Sequence, residues 1–266
     1  MEIDKIYNMD CLEGMKQIPD GSIDAIICDL PYGTTQLEWD SVIPLDKLWK
    51  QYMRIRKENA PVILFSSQPF TTDLIISNRK MFKYEIIWEK TQQTGFFNAK
   101  KMPLRVHENI LVFYDHQPTY NPQMWVKQDA EKIGRIRKNS DYKNTNGGHV
   151  GKVGKDSAES WFYEEKGIRY PTDIIKFSNW NGAGFCHTPD RHVFHPTQKP
   201  VDLLRYLVKT YTNEGDTILD NCMGSGTTAV ACIKEKRHFI GFELNKEYYD
   251  KACLRIDAVK RQLTLF

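Results

Sequence analysis

Thr217-Ile218-Leu219-Asp220-Asn221-Cys222-Met223-Gly224-Ser225-Gly226-Thr227-Thr228 is the stretch that decides the fold. Its first four residues read as a short buried strand. Gly224 and Gly226 mark a turn, because glycine adopts positive φ and lets a ligand come close to the backbone. Thr227 opens a run with helical spacing, so the free N–H groups at the positive end of a helix would face whatever the turn holds. Twenty-three residues beyond Asp220, Glu243 ends a second apolar run, Phe239-Ile240-Gly241-Phe242. An acid at the tip of a second strand can accept both hydroxyls of a ribose. Strand, glycine turn, helix, strand and acid in this order point to a nucleoside-containing cofactor. Ala229 stands where a dinucleotide site often has its third glycine, which leaves the identity of the cofactor open on this pattern alone.

A second motif lies at the other end of the chain. Asp29-Leu30-Pro31-Tyr32-Gly33 follows Asp24-Ala25-Ile26-Ile27-Cys28, another apolar run. Asp29 therefore sits at the carboxyl end of a strand, where ligands collect in open α/β sheets. Pro31 stiffens the loop and has no N–H, which leaves nearby carbonyls as acceptors. Tyr32 offers a flat face for stacking. Together these groups suit a planar ring that carries an amino group. Such an amine is a poor nucleophile while its lone pair is conjugated into the ring. Acceptors for both of its hydrogens push the nitrogen towards sp³ and free the lone pair for direct attack on an electrophile held in line.

Between the motifs, Lys5–Met9, Ile23–Cys28, Pro61–Ser66, Tyr84–Trp88, Asn109–Tyr114 and His238–Phe242 read as further strands. Pro44–Glu58, Val201–Tyr211, Thr227–Lys236 and Lys246–Leu263 read as helices. Strands alternating with helices predict an α/β fold with a doubly wound, mostly parallel, Rossmann-like sheet. No clear helix separates Tyr84–Trp88 from Asn109–Tyr114, so an antiparallel pair is expected there. A glycine turn near the end of such a fold implies circular permutation. Residues 117–190 break the pattern: Lys132–Lys155 holds seven Lys or Arg against one Asp, with five glycines and no apolar period. That composition fits a solvated loop or an insertion that tracks phosphates. Aromatic residues from Trp161 to Trp180 suggest an ordered part. The expected organisation is 1–116, an insertion over 117–190, and 191–266.

The bulk properties narrow the class. With 266 residues, 41% apolar and 27% charged, the chain can bury a sizeable core, and a net charge of +3 permits nucleic-acid binding without requiring it. Six cysteines without a C-x-x-C pair read as reduced thiols of a cytosolic protein. Met1–Lys5 has no secretory pattern and no apolar stretch approaches membrane-spanning length, so a cytoplasmic protein without membrane contact is expected. Cys186, His187, His192 and His195 cluster, but their spacing matches no common zinc module, and no metal is expected. Absence of a Pro-Cys dipeptide argues against cytosine C5 chemistry, which needs a thiolate.

Taken together, the motifs resemble those of the DNA amino-methyltransferases that use S-adenosylmethionine. Asp29-Leu30-Pro31-Tyr32 is similar to their D/N/S-P-P-Y/F/W catalytic motif, and Asp220–Thr228 to their cofactor motif. The order of the motifs is that of the permuted β class. His195-Pro196-Thr197-Gln198-Lys199-Pro200, Asn8-Met9-Asp10-Cys11-Leu12, Trp88-Glu89-Lys90 and His107-Glu108-Asn109-Ile110-Leu111 carry the resemblance further. It implies a catalytic set of Asp29, Pro31 and Tyr32. It implies that Asp10 and the Cys11 backbone meet the cofactor's adenine and that Glu243 holds its ribose. Gly224, Ser225, Gly226 and Thr227, following Asp220, would surround its methionine part. Lys199 would lie near the methionine carboxylate, and Asp29 between the cofactor's amino group and the target amine.

The resemblance further implies double-stranded DNA as substrate, a flipped target base stacked on Tyr32, and a target-recognition role for the insertion. A homodimer and a cognate restriction endonuclease are its candidate partners. Aspartate at the head of the motif favours adenine N6 over cytosine N4. Leu30 in place of the first proline and Met223 beside the glycine turn are the two departures, and neither removes a reacting group. Other readings are an RNA or protein-glutamine methyltransferase, an inactive DNA-binding relative, and an NAD-dependent oxidoreductase. The last leaves the Asp-Leu-Pro-Tyr loop without a purpose.

Overall fold

The computed structural model describes residues 1–33, 41–126, 136–138, 162–164, 168–179 and 198–263. The chain divides into two units, Met1–Asn121 with Thr172–Phe266, and Pro122–Pro171. Its elements run β1 (Lys5–Tyr7), α1 (Cys11–Met15), β2 (Ala25–Asp29), α2 (Leu45–Ile55), β3 (Val62–Ser66), α3 (Phe70–Ser77), β4 (Phe82–Thr94) and β5 (Arg105–Phe113). They continue with β6 (Trp125–Val126), β7 (Ile136–Lys138), β8 (Phe162–Glu164), β9 (Ile168–Arg169) and β10 (Ile174–Phe177). The last are α4 (Val201–Tyr211), β11 (Thr217–Asp220), α5 (Thr227–Lys234), β12 (His238–Phe242) and α6 (Lys246–Leu263).

The larger unit is built on one eight-stranded sheet in the order β1-β12-β11-β2-β3-β5-β4-β10. Only the β3/β5 and β5/β4 pairings are antiparallel; the others are parallel. Period-two alternation along the strands feeds two cores, one on each face. Ala25 and Ile27 of β2 face a core shared with Leu203, Leu207 and Val230 of the helices α4 and α5. Ile26 and Cys28 face the other, which contains Leu48, Tyr52 and Ile55 of α2. Those three lie on one face of α2 at spacings of four and three residues, as an amphipathic helix on a sheet requires.

The expected strands and long helices are present, with three differences. Helix α3, preceded by Pro69, occupies a stretch with no strong helical period. Strand β4 runs well beyond Trp88 to Thr94, and its last four residues are exposed. Strand β10, inside the segment 117–190, pairs with β4 at the edge of the main sheet, so residues 172–179 belong to the larger unit. The smaller unit contains two antiparallel pairs, β6 with β9 and β7 with β8. Most of Lys132–Lys155, Trp161, Trp180 and the cluster from Cys186 to His195 lie outside the described residues. Among the described residues no helix is long and apolar enough to cross a membrane, and no group of His, Cys, Asp or Glu could hold a metal ion.

Candidate active site

Strands β2 and β11 lie side by side and parallel, with Ile218 opposite Ala25 and Leu219 opposite Ile26. This pairing brings the two motifs together from opposite ends of the chain. From β11 the chain proceeds to β12 on one side, and from β2 to β3 on the other. The crevice at the carboxyl ends of β2 and β11 is therefore the topological switch point of the sheet, where open α/β sheets bind their ligands. A cavity of about 460 Å³ opens there, within the range of cofactor sites. Of the twelve residues predicted for the site, all but Gly226 line it; so do Lys90, Glu108 and Trp88.

Asp29 closes β2 with both carboxylate oxygens engaged. Oδ1 accepts from the Tyr32 hydroxyl at 2.7 Å, and Oδ2 accepts from Lys199 Nζ at 2.5 Å. Lys199 Nζ also lies 3.3 Å from Glu108 Oε2, and Glu108 Oε1 accepts from Lys90 Nζ at 2.5 Å. Lys90 stands on β4 and Glu108 on β5, so antiparallel pairing sets their approach. The result is a row of alternating charge, Asp29, Lys199, Glu108, Lys90, in which Lys199 is only 9% exposed. Each charge has an opposite neighbour, which is what makes ionised groups tolerable away from water.

The row sets the protonation of its members. Burial pushes the Asp29 carboxyl up, Lys199 pulls it back, and Glu108 adds to the rise; the net position is above the ordinary carboxylate value. Burial also raises Glu108, but Lys199 and Lys90 outweigh it and leave that carboxyl below its ordinary value. Burial opposes the charge of Lys199, yet the two carboxylates hold its ammonium firmly protonated. The Tyr32 hydroxyl is raised well above its usual value, first by burial and then by Asp29, so it acts as a donor. The Tyr32 ring stacks on Phe70 at 5.4 Å between centroids and 29° between planes. Leu30, where the resembled motif has proline, is 3% exposed and anchors the loop in the core beneath α2.

The other half of the cavity belongs to the glycine turn. Gly224 and Gly226 adopt φ of 51° and 76°, a region in which a side chain is strained. Gly226 also packs against α6, where an added Cβ would meet that of Ala252 at 3.3 Å. Asp220 shapes the turn from below: Oδ1 accepts from the Cys222 amide at 3.1 Å and Oδ2 from the Thr228 hydroxyl at 2.5 Å. Burial raises its carboxyl to about 6. Glu243, at the end of β12, accepts from the Gly224 and Asn245 amides, both at 2.8 Å, and burial raises its carboxyl as well. Asp10 caps α1 through Oδ1, which accepts from the Glu13 amide at 3.0 Å. Cys11 is buried next to Asn221, whose amide donates to its Sγ at 3.7 Å. Burial holds the Cys28 thiol up at about 12, and Cys222, hydrogen-bonded to Cys11 and Cys28, is raised as well, so neither is a thiolate at neutral pH. Met223 packs over Gly241, where a Cβ would meet its Cε at 2.2 Å.

Two residues of the site carried no assignment from sequence. Glu108 belonged to the His107–Leu111 segment, and only the β4/β5 register reveals what it pairs with. Arg255, 6% exposed on α6, donates from Nη1 to the Ser225 carbonyl at 2.9 Å and the Thr227 hydroxyl at 3.0 Å. It braces the turn from behind, about 30 residues away in sequence. Arg105, at the start of β5, does not line the cavity, and Glu89 is paired with Lys176 at 2.6 Å.

A permuted doubly wound sheet, with an Asp-Leu-Pro-Tyr loop and a glycine turn facing one cavity, defines a nucleoside-cofactor enzyme acting on an amine. The family model described as DNA methylase, covering the N6 and N4 methyltransferases, matches residues 23–253, and the chain belongs to this family. It is similar to the type II methyltransferase M1.MboII of Moraxella bovis, with 27% identity over 95% of this chain and 96% of that protein. The DNA adenine methyltransferase YhdJ of Escherichia coli K12 is 26% identical over 96% of this chain and 83% of its own length. Among solved structures, the M1.HpyAVI–SAM complex superposes with a TM-score of 0.61 at 23% identity, covering 95% of this chain and 98% of that one. The cytosine-N4-specific PvuII DNA methyltransferase gives 0.65 at 14% identity, covering 97% and 90%. These likenesses agree with the mostly parallel Rossmann-like sheet.

Proposed function

We infer that the protein transfers a methyl group from S-adenosylmethionine to the N6 amino group of adenine in double-stranded DNA. The observation that carries this reading is Asp29, half-buried at the switch point, tied to Tyr32 and facing the same cavity as the glycine turn. The aspartate at the head of the motif and the similarity to the DNA adenine methyltransferase YhdJ favour N6 over cytosine N4.

The donor set fits S-adenosylmethionine. Its adenosine requires an acid for two hydroxyls and an apolar-to-polar slot for a base; Glu243, Asp10 and Cys11 supply them. Its amino-acid end requires backbone N–H groups and fixed charges, which Ser225, Thr227 and Lys199 supply from one wall, with Gly224 and Gly226 giving the turn its shape. Bound there, the cofactor would provide the electrophilic methyl. Asp220 and Arg255 act on the turn itself and hold its shape.

The remaining chemistry belongs to the protein. The ionised Asp29 carboxylate and a carbonyl of the Leu30–Pro31 segment accept the two hydrogens of the target amine and free its lone pair. Tyr32 stacks on the base, with Phe70 supporting the ring from behind. Lys199 keeps Asp29 ionised against the cost of burial, and Glu108 and Lys90 fix Lys199 in place. After transfer, the surplus proton of the methylated amine leaves by way of the acceptor on Asp29. Target recognition belongs, in this reading, to residues 122–171 with the neighbouring chain up to 190, where the basic segment lies. A homodimer, a cytoplasmic location and a cognate restriction endonuclease complete the proposal.

Incubation with labelled S-adenosylmethionine and duplex DNA, RNA or protein tests it directly. Label should enter adenine of duplex DNA, and Asp29→Ala should abolish that incorporation while the protein still binds the cofactor. Label in RNA or protein alone, or an Asp29→Ala enzyme at the wild-type rate, would overturn the reading.

A further inference from the structure

Strands β4 and β5 continue past the charge row and out of the sheet as a hairpin. Thr94 pairs with Arg105 as the last rung, and Thr94 still lines the active-site cavity. Beyond it come Gly95 with φ of 94°, a single 3₁₀ turn over Phe96–Asn98, and a second turn to Met102. The tip carries two adjacent exposed phenylalanines: Phe96 is 63% exposed and Phe97 fully so. Met102 and Val106 beside them are also exposed. Lys100, Lys101 and Arg105 follow the rings in the same hairpin, and no Asp or Glu occurs from Thr91 to His107.

The base of this hairpin is held firmly. The Asn179 side chain accepts from the Gln92 amide at 2.8 Å and donates to the Gln92 carbonyl at 2.9 Å. The Trp88 indole donates to the Phe177 carbonyl at 3.0 Å. An exposed aromatic pair at the end of a hairpin is costly in water and serves no core. Cationic flanks without a compensating acid suit a polyanion. Three peptide steps lead from Thr94 at the cavity rim to Phe97, a reach of at most about 10 Å, comparable with the depth of roughly 8.5 Å of a DNA major groove.

We propose that the Phe96–Phe97 tip is a wedge that enters the DNA base stack beside the flipped target and occupies the space it leaves. Proteins insert apolar side chains between base steps and open the stack there, and aromatic rings stack on any base without regard to sequence. Lys100, Lys101 and Arg105 hold the neighbouring phosphates. The target base, still tethered to its backbone, then reaches the Asp29 loop. This inference rests on the reading of the protein as a DNA methyltransferase and adds a residue set for the step that precedes chemistry.

The test compares Phe96→Ala/Phe97→Ala with the wild type in single-turnover transfer. One substrate is a paired duplex. The other is the same duplex with an abasic position opposite the target, where unpairing costs less. Both rings lie outside the cofactor wall, so cofactor affinity by titration calorimetry should be unchanged. Transfer to the paired duplex should fall at least tenfold, and most of the loss should be recovered on the abasic duplex. A wild-type rate on the paired duplex would overturn the wedge, as would an equal loss on both substrates. So would conversion of a wild-type dimer to monomer in sedimentation, which would make the tip a contact between copies of the chain. If the wild type methylates neither duplex, the functional reading fails first, and the wedge with it.

Discussion

Replacing Lys199 by Met removes the ammonium that faces both Asp29 and Glu108 and keeps the length of the stem. Lys199 Nζ is 2.5 Å from Asp29 Oδ2 and 3.3 Å from Glu108 Oε2. Without it, two carboxylates share a nearly dry site with Lys90 as the only cation of the row. Removing one partner of a buried ion pair costs about 3–5 kcal/mol. The site can relieve that cost by protonating Asp29, whose carboxyl burial already holds up. A protonated Asp29 no longer offers two acceptor oxygens, so turnover at neutral pH should fall by two to three orders of magnitude, at about 1.4 kcal/mol per tenfold.

The sign follows from the same groups. In the proposed mechanism activity needs ionised Asp29 and should be lost as pH falls through its titration. Lys199→Met raises that carboxyl further and moves the acid limb of the rate profile to higher pH. Glu108→Gln removes the negative charge that also raises Asp29, so it moves the acid limb to lower pH, with a smaller loss at neutrality. Single-turnover transfer measured from pH 5 to 9 reads both shifts. Limbs that move together, or a Lys199→Met profile unchanged in pH but with weaker S-adenosylmethionine binding, would refute this role. The latter outcome would assign Lys199 to the cofactor's carboxylate alone.

Two further outcomes follow from the glycine turn. Arg255→Met deletes hydrogen bonds from a buried guanidinium to Ser225 and Thr227, each worth about 1.5–3 kcal/mol; S-adenosylmethionine affinity by calorimetry should drop at least tenfold while saturated turnover stays near wild type, and unchanged affinity would show that the turn stands without it. Asp220, raised from 3.8 to about 6, binds its proton more tightly folded than unfolded, so its contribution to stability falls as pH rises through that window. Relative to Asp220→Asn, the wild type should gain roughly 2–3 kcal/mol between pH 7 and pH 4 in urea denaturation, and parallel stability curves would contradict the raised carboxyl.

Much of the site was legible because its parts are local in sequence. Gly224 and Gly226 announce their positive φ by residue type, and Asp29 and Glu243 announce their position by ending apolar runs. The order of the motifs implied a permuted sheet, whereas the adjacency of β2 and β11 comes from their pairing. Glu108 and Arg255 were not legible, since a charge on β5 or α6 acquires meaning only from what the register or helix packing sets opposite it. Strand β10 was read as part of the insertion because its four residues follow a Pro-Thr-Asp turn and bury only Ile175. The far half of β4 escaped for a related reason. A ribbon exposed on both faces has no alternation to read, and its two phenylalanines have no core to fill.

Single-molecule sequencing of DNA from a methylation-free host expressing this chain tests the central claim most directly. N6-methyladenine is expected at one defined sequence, and is expected to be absent when Asp29→Ala is expressed instead. Unmodified DNA from the wild-type chain, N4-methylcytosine in place of N6-methyladenine, or the same adenine mark from Asp29→Ala would contradict it.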